Sequence, residues 1–139
     1  MSKYPYFDRE AQSELDWFEA LVYLARYLRK PEGCPWDREQ SALDFAGYAK
    51  GEAEELIEAL ASGDDAHAAE EFGDTFFTLL ATLAAAEEEG KFSLGEALKL
   101  AHEKMIRRHE HVFGDLKADT PEAAVEAWER AKRLERESK

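Results

Sequence analysis

The stretch from about Asp65 to Glu89 reads as one helix that is apolar nearly all the way round. Phe72, Phe76, Leu79, Leu80 and Leu83 fill one side, and Phe77, Ala81, Ala84 and Ala85 the opposite one. A helix of this kind belongs in an interior, because no face of it is suited to water. It needs cover from more than one direction, and the rest of the chain supplies helices and no strand.

Four further helices are expected. The first runs from about Asp8 to Arg29, with Leu15, Phe18, Leu21, Val22, Ala25 and Leu28 on one side, and ends at Pro31 and Gly33. A loop over Pro31 to Asp37 leads to a second helix from about Ser41 to Ala61, broken by Ser62, Gly63 and Asp64. After the apolar helix and Gly90, Ser93 reads as an N-cap with Glu96 completing a capping box, which opens a helix to about His109. Thr120 followed by Pro121 opens the last helix, since proline suits the first helical position. Its tail after about Leu134 is expected to fray. Short connections make neighbours antiparallel, so the expected fold is all-α: an antiparallel bundle of about five helices in a single domain, residues 1–139.

Composition narrows the setting. The N-terminus MSKYPYFDRE has no apolar run, and no stretch of about 18 apolar residues is present, so neither a signal peptide nor a membrane span is expected. Cys34 is the single cysteine, which fits a reduced, cytoplasmic location. The net charge is −13, and between Ser41 and Glu103 acidic residues outnumber basic ones by 15 to 3. Such a chain is a poor partner for polymeric nucleic acid, whose binding depends on neutralised phosphates. A small phosphorylated ligand is still compatible, with a cation offsetting the acidic half and the basic C-terminal part holding phosphate oxygens.

Two acidic pairs, Glu52 with Glu55 and Glu71 with Asp74, are spaced i, i+3 on helices, so each pair shares a face. With about 100° per residue, Glu52 falls at the edge of the apolar stripe of Phe45, Ala49, Leu56 and Leu60. Glu55 sits at its margin, while Glu54 and Glu58 point away. Asp74 lies on the Phe77/Ala81 side, where burial is expected. A buried carboxylate requires a cation or hydrogen-bond donors. Both Glu70 and Glu71 flank it, and spacing does not choose between them. Oxygen-only ligands suit Mg²⁺ or Mn²⁺. Di-iron bundles use Glu-x-x-His ligands, and no histidine here has a glutamate three residues before it.

Four segments together carry a resemblance: CPWDREQ at Cys34–Gln40, GEAEELIE at Gly51–Glu58, EEFGDTFFTLL at Glu70–Leu80 and KMIRRHEHVF at Lys104–Phe113. In this order and spacing they resemble the MazG family of all-α nucleoside triphosphate pyrophosphohydrolases, over about Pro31 to Arg133. The resemblance implies Mg²⁺-dependent hydrolysis of a nucleoside triphosphate to the monophosphate and pyrophosphate. It implies metal ligation by Glu52, Glu55, Glu71 and Asp74, choosing Glu71 over Glu70. It further implies that Glu52 and Glu55 carry catalysis together with a basic pair, Lys104 and Arg108, which also bind substrate; Arg107 is an alternative to Arg108. Trp128 and Lys132 resemble family positions near the nucleotide, and Trp36, Asp37 and Gln40 are expected to shape its pocket. Gly51 stands where the family has the first glutamate of its metal motif. The resemblance further implies a homodimer or higher homo-oligomer, which the apolar surface of the first and third helices supports, including Trp17, Phe18, Phe76 and Phe77. The rival expectation is a helical regulatory module that binds nucleotide with weak or no turnover.

Overall fold

A computed structural model describes residues 4–138. Among them are seven helices and no strand: α1 (Glu14–Tyr27), α2 (Pro35–Glu39), α3 (Ala42–Ser62), α4 (Asp65–Glu88), α5 (Leu94–Arg108), α6 (Glu110–Phe113) and α7 (Pro121–Glu137). The all-α expectation holds. The count rises from five to seven because α2 and α6, of five and four residues, form inside segments expected to be loops. The chain divides into two compact units, Met1–Ser93 and Leu94–Lys139.

The first unit is built on the α3–α4 hairpin. Both helices are started by side chains that accept the orphan amide hydrogens of a first turn. Ser41 and Asp44 form a capping box on α3, and Asp64 accepts from the His67 amide on α4. Gly63 makes the turn between them in the left-handed region (φ 78°), where a side chain is disfavoured. The start of α3 then meets the end of α4, with Ala42 and Phe45 in one buried cluster with Ala81, Ala85 and Ala86. The small α4 residues let the two helices come close: Ala85 and Ala86 are fully buried.

α1 packs on α4 and begins at Glu14 rather than near Asp8. The reason is a capping box in which Ser13 accepts from the Asp16 amide while Asp16 accepts from the Ser13 amide. Between α1 and α3 the chain turns tightly at Gly33, where a Cβ would lie 2.5 Å from the Tyr27 and Leu28 carbonyl oxygens. α2 is held by Arg29, which is nearly buried and donates to the Asp37 carboxylate (3.3 Å) and the Gln40 carbonyl (2.9 Å). Arg29 also pairs with Glu88 at 3.0 Å, tying α1, α2 and the end of α4 together.

Burial of α4 is less complete than its sequence suggests. Leu80, Leu83 and the alanines are buried, but Phe72 is 62% and Leu79 51% exposed. On α3, Phe45, Ala49 and Ala59 are buried, whereas Leu60, placed in the apolar stripe from sequence, is exposed. In the second unit α7 packs on α5 and α6, burying Ala127 and Ala131. Thr120 caps α7 by accepting from the Ala123 amide, with Pro121 in the first turn. The helix continues through Glu137, past the point where fraying was expected.

Candidate active site

The hairpin brings three of the four expected metal ligands together. One oxygen each from Glu52, Glu55 and Glu71 lie within 4.8 Å of one another. Glu52 and Glu55 face α4 from adjacent turns of α3, and Glu71 faces them from the second turn of α4. Glu71 is buried at 9% exposure, and Glu55 is exposed. The Oε2 atoms of Glu52 and Glu71 are both buried without a hydrogen-bond partner. The nearby hydroxyls do not help, because Thr75 and Thr78 donate back to the Glu71 and Asp74 carbonyls.

Charges this close and this dry resist ionisation. Desolvation, then the neighbouring Glu55, Asp74 and Glu71 carboxylates, push the Glu52 pKa up. Glu71 rises through desolvation and the charges of Glu55 and Asp74, with His67 acting in the opposite direction. The His67 Nε2 lies 3.8 Å from Glu71 Oε1. Orphaned oxygens with no donor and an all-carboxylate ligand set fit a hard divalent cation. Asp74 corrects the reading from periodicity: it is exposed, not buried, and stands outside the three-oxygen group. Its charge nevertheless reaches both Glu52 and Glu71. Cover from α3 reaches Ala81 on that side of α4 but leaves Asp74 exposed.

Beside the carboxylates opens a cavity of about 910 Å³. Glu52 and Glu55 line one part of it, and Trp36, Phe45, Tyr48 and Phe77 another. Trp36 is exposed, stacks on Tyr48 (5.8 Å) and meets Phe45 edge-on (5.9 Å). Asp37 lines the cavity, but its carboxylate is buried at 5% exposure and paired with Arg29. Desolvation raises the Asp37 pKa against the pull of that guanidinium. Gln40 donates to the Trp36 carbonyl and accepts from the Tyr48 hydroxyl, so it braces the aromatic pair. Gly51 faces open space: a Cβ there would meet nothing within 4 Å.

The basic residues lie in the second unit. Lys104, Arg107 and Arg108 line a separate cavity of about 580 Å³. Arg108 stacks over Trp128 at 4.9 Å, and its guanidinium donates to both oxygens of Glu135. Lys132 is half-buried on the same helix as Trp128. Sequence reasoning missed Glu135, Arg29 and Tyr48. For Glu135 a signal existed: Trp128, Lys132 and Glu135 follow at i, i+4, i+7 on one face of α7.

Among the described residues, two central helices thus face one another across three carboxylates that could hold a metal ion. Residues 40–113 match the family model of the MazG nucleotide pyrophosphohydrolase domain. The chain is 38% identical over 122 residues to the nucleoside triphosphate pyrophosphohydrolase/pyrophosphatase MazG of Thermotoga maritima, covering 88% of this chain and 46% of that one. It is 34% identical over 126 residues to the nucleoside triphosphate pyrophosphohydrolase of Escherichia coli K12, covering 90% and 48%. An uncharacterised protein of Bacillus subtilis, YabN, is 37% identical over 119 residues, covering 86% and 24%. The chain belongs to the MazG family. It spans between a quarter and about half of the length of these curated relatives.

Proposed function

We propose that the chain is a hydrolase that cleaves a nucleoside triphosphate between its α and β phosphates, giving the monophosphate and pyrophosphate. The observation that carries this reading is the triad of Glu52, Glu55 and Glu71, with two buried oxygens that lack a donor. These residues, with Asp74, would hold Mg²⁺, or Mn²⁺ in its place. When bound, the ion supplies water activation and charge neutralisation on the phosphates. Glu52 and Glu55 would hold it from α3. Lys104 and Arg108 would bind phosphate oxygens and stabilise added negative charge, with Trp128 stacked on Arg108 and Lys132 as a further substrate-binding residue. Trp36 and Tyr48 offer an aromatic face for a base, while Asp37 and Gln40 hold that face in place. Release of pyrophosphate from a panel of canonical and modified nucleotides, with Mg²⁺, Mn²⁺ or chelator, tests the proposal. No metal-dependent release from any of them would overturn it.

Gly51 favours a second reading, a nucleotide-binding regulatory module with weak turnover. The glutamate that the family motif carries is missing, and no side chain fills its place. Gly51→Glu should therefore raise divalent-ion affinity and turnover. It should also add up to about 1 kcal/mol of helix stability in the presence of metal, since glycine is poor in a helix interior. A metal titration of both proteins checks this: equal affinity and turnover would mean that the missing carboxylate is not limiting.

Among the described residues no helix is long and apolar enough to cross a membrane, and we assign the protein to the cytoplasm. We further propose that the chain acts as one MazG-like domain and assembles as a homodimer or higher homo-oligomer. Leu15 and Trp17 on α1 and Phe72 on α4 are each more than 60% exposed, and patches of this kind mark interfaces. Light scattering at micromolar concentration should give a multiple of 15.8 kDa. A mass of one chain would refute assembly.

A further inference from the structure

The second unit contains an anion seat, and the chain itself fills it. Arg107 and Arg108 hold one carboxylate, that of Glu135, in a cavity that Lys104 also lines. Arg108 donates from Nε to Glu135 Oε2 (3.1 Å) and from Nη2 to Oε1 (3.1 Å), the forked geometry with which a guanidinium takes a carboxylate or a phosphate. Arg107 Nη2 reaches Oε1 at 3.2 Å. Arg108 and Glu135 side chains are both only 17% exposed. The surrounding charge is lopsided. Glu110, the other carboxylate lining the cavity, is taken by Arg130 at 3.1 Å. Lys104 has no ion pair among the described residues. Three cations thus face one anion, and hydrogen bonds from Arg108 and then Arg107 hold the Glu135 pKa down at about 2. The Glu135 carboxylate is therefore held ionised well below the usual carboxylate range.

We propose that Glu135 is a resident stand-in for a phosphate group, which a phosphorylated ligand must displace from Arg107 and Arg108 before it can bind there. The proposal rests on the reading of Lys104 and Arg108 as phosphate-binding residues and adds a competitor to it. Glu135 lies near the end of α7, so its side chain can swing toward solvent without disturbing the buried Ala127 and Ala131. Its release leaves Trp128 stacked on Arg108, which keeps the guanidinium aimed at the cavity.

The alternative is that Glu135 merely orients Arg108, and the two roles have opposite consequences. Inorganic pyrophosphate, titrated calorimetrically into the full chain with chelator present, isolates the basic seat from the carboxylate site. A stand-in predicts that Glu135→Gln binds pyrophosphate about tenfold more tightly, equivalent to ~1.4 kcal/mol. Unchanged or weaker binding would overturn it. Should the glutamine variant unfold, Glu135→Asp decides in the same way, because its shorter carboxylate holds the fork less well while keeping the charge. Lys104→Gln separates the two layers of argument. Weaker pyrophosphate binding in both the native and Glu135→Gln backgrounds supports the phosphate seat. No effect in either background overturns that reading itself.

Discussion

Replacing Glu71 by glutamine is expected to lower the proposed nucleotide hydrolysis at least ~100-fold while making the metal-free protein more stable. Loss even of groups that only orient metal ligands costs about 10–100-fold, and Glu71 is the most buried of the candidate ligands. The stability effect follows from its raised pKa. A carboxyl with a folded-state pKa above its unfolded value keeps more protons when folded. Its contribution is therefore fully present below the ordinary carboxylate range and is lost as pH rises through the shifted value. Metal-free wild-type protein should melt at progressively lower temperature as pH rises from about 4.5. Glu71→Gln should show a flatter profile, because its amide never ionises. Added Mn²⁺ should raise the melting temperature of the wild type far more than that of the variant. A variant with near-normal turnover at saturating metal would remove Glu71 from the site.

The largest loss of stability is expected from Arg29→Ala. Arg29 and Asp37 are both more than nine-tenths buried in their side chains, and Arg29 also holds the Gln40 carbonyl and Glu88. Removing one partner of a buried ion pair leaves the other charge without compensation, at a cost of about 3–5 kcal/mol. Urea unfolding should show this, and Asp37→Asn in the same background should recover part of it. If Arg29→Ala unfolds at the wild-type midpoint, the clamp contributes nothing. The same variant should loosen α2 and so the seat of Trp36, which would appear as weaker nucleotide binding at temperatures where the chain is still folded.

Helical periodicity was enough to find Glu52 and to place Glu55 at the stripe's margin, because α3 has one apolar face and their angles relative to it are fixed. It failed for Asp74. α4 is apolar on most sides, and burial was expected on all of them. Periodicity identifies which residues avoid water, not which element covers them, and within this unit α1 and α3 leave Phe72, Asp74 and Leu79 open. The caps at Ser41 and Thr120 were legible because capping chemistry is local. Arg29 with Glu88 and Arg108 with Glu135 were not, because residues far apart in sequence pair only through the packing of their helices. Asp37 was legible as important through its place in CPWD, but not as the buried partner of an arginine.

The turn at Gly63 and Asp64 has a bearing on how the protein folds. It joins the two helices that carry both acidic pairs, so bringing those pairs together closes a short stretch of chain at little entropic cost. Chains rich in contacts between segments so near in sequence fold fast. The mutual repulsion of Glu52, Glu55 and Glu71 therefore opposes the closing of this hairpin, and a cation that relieves it would favour the closed form.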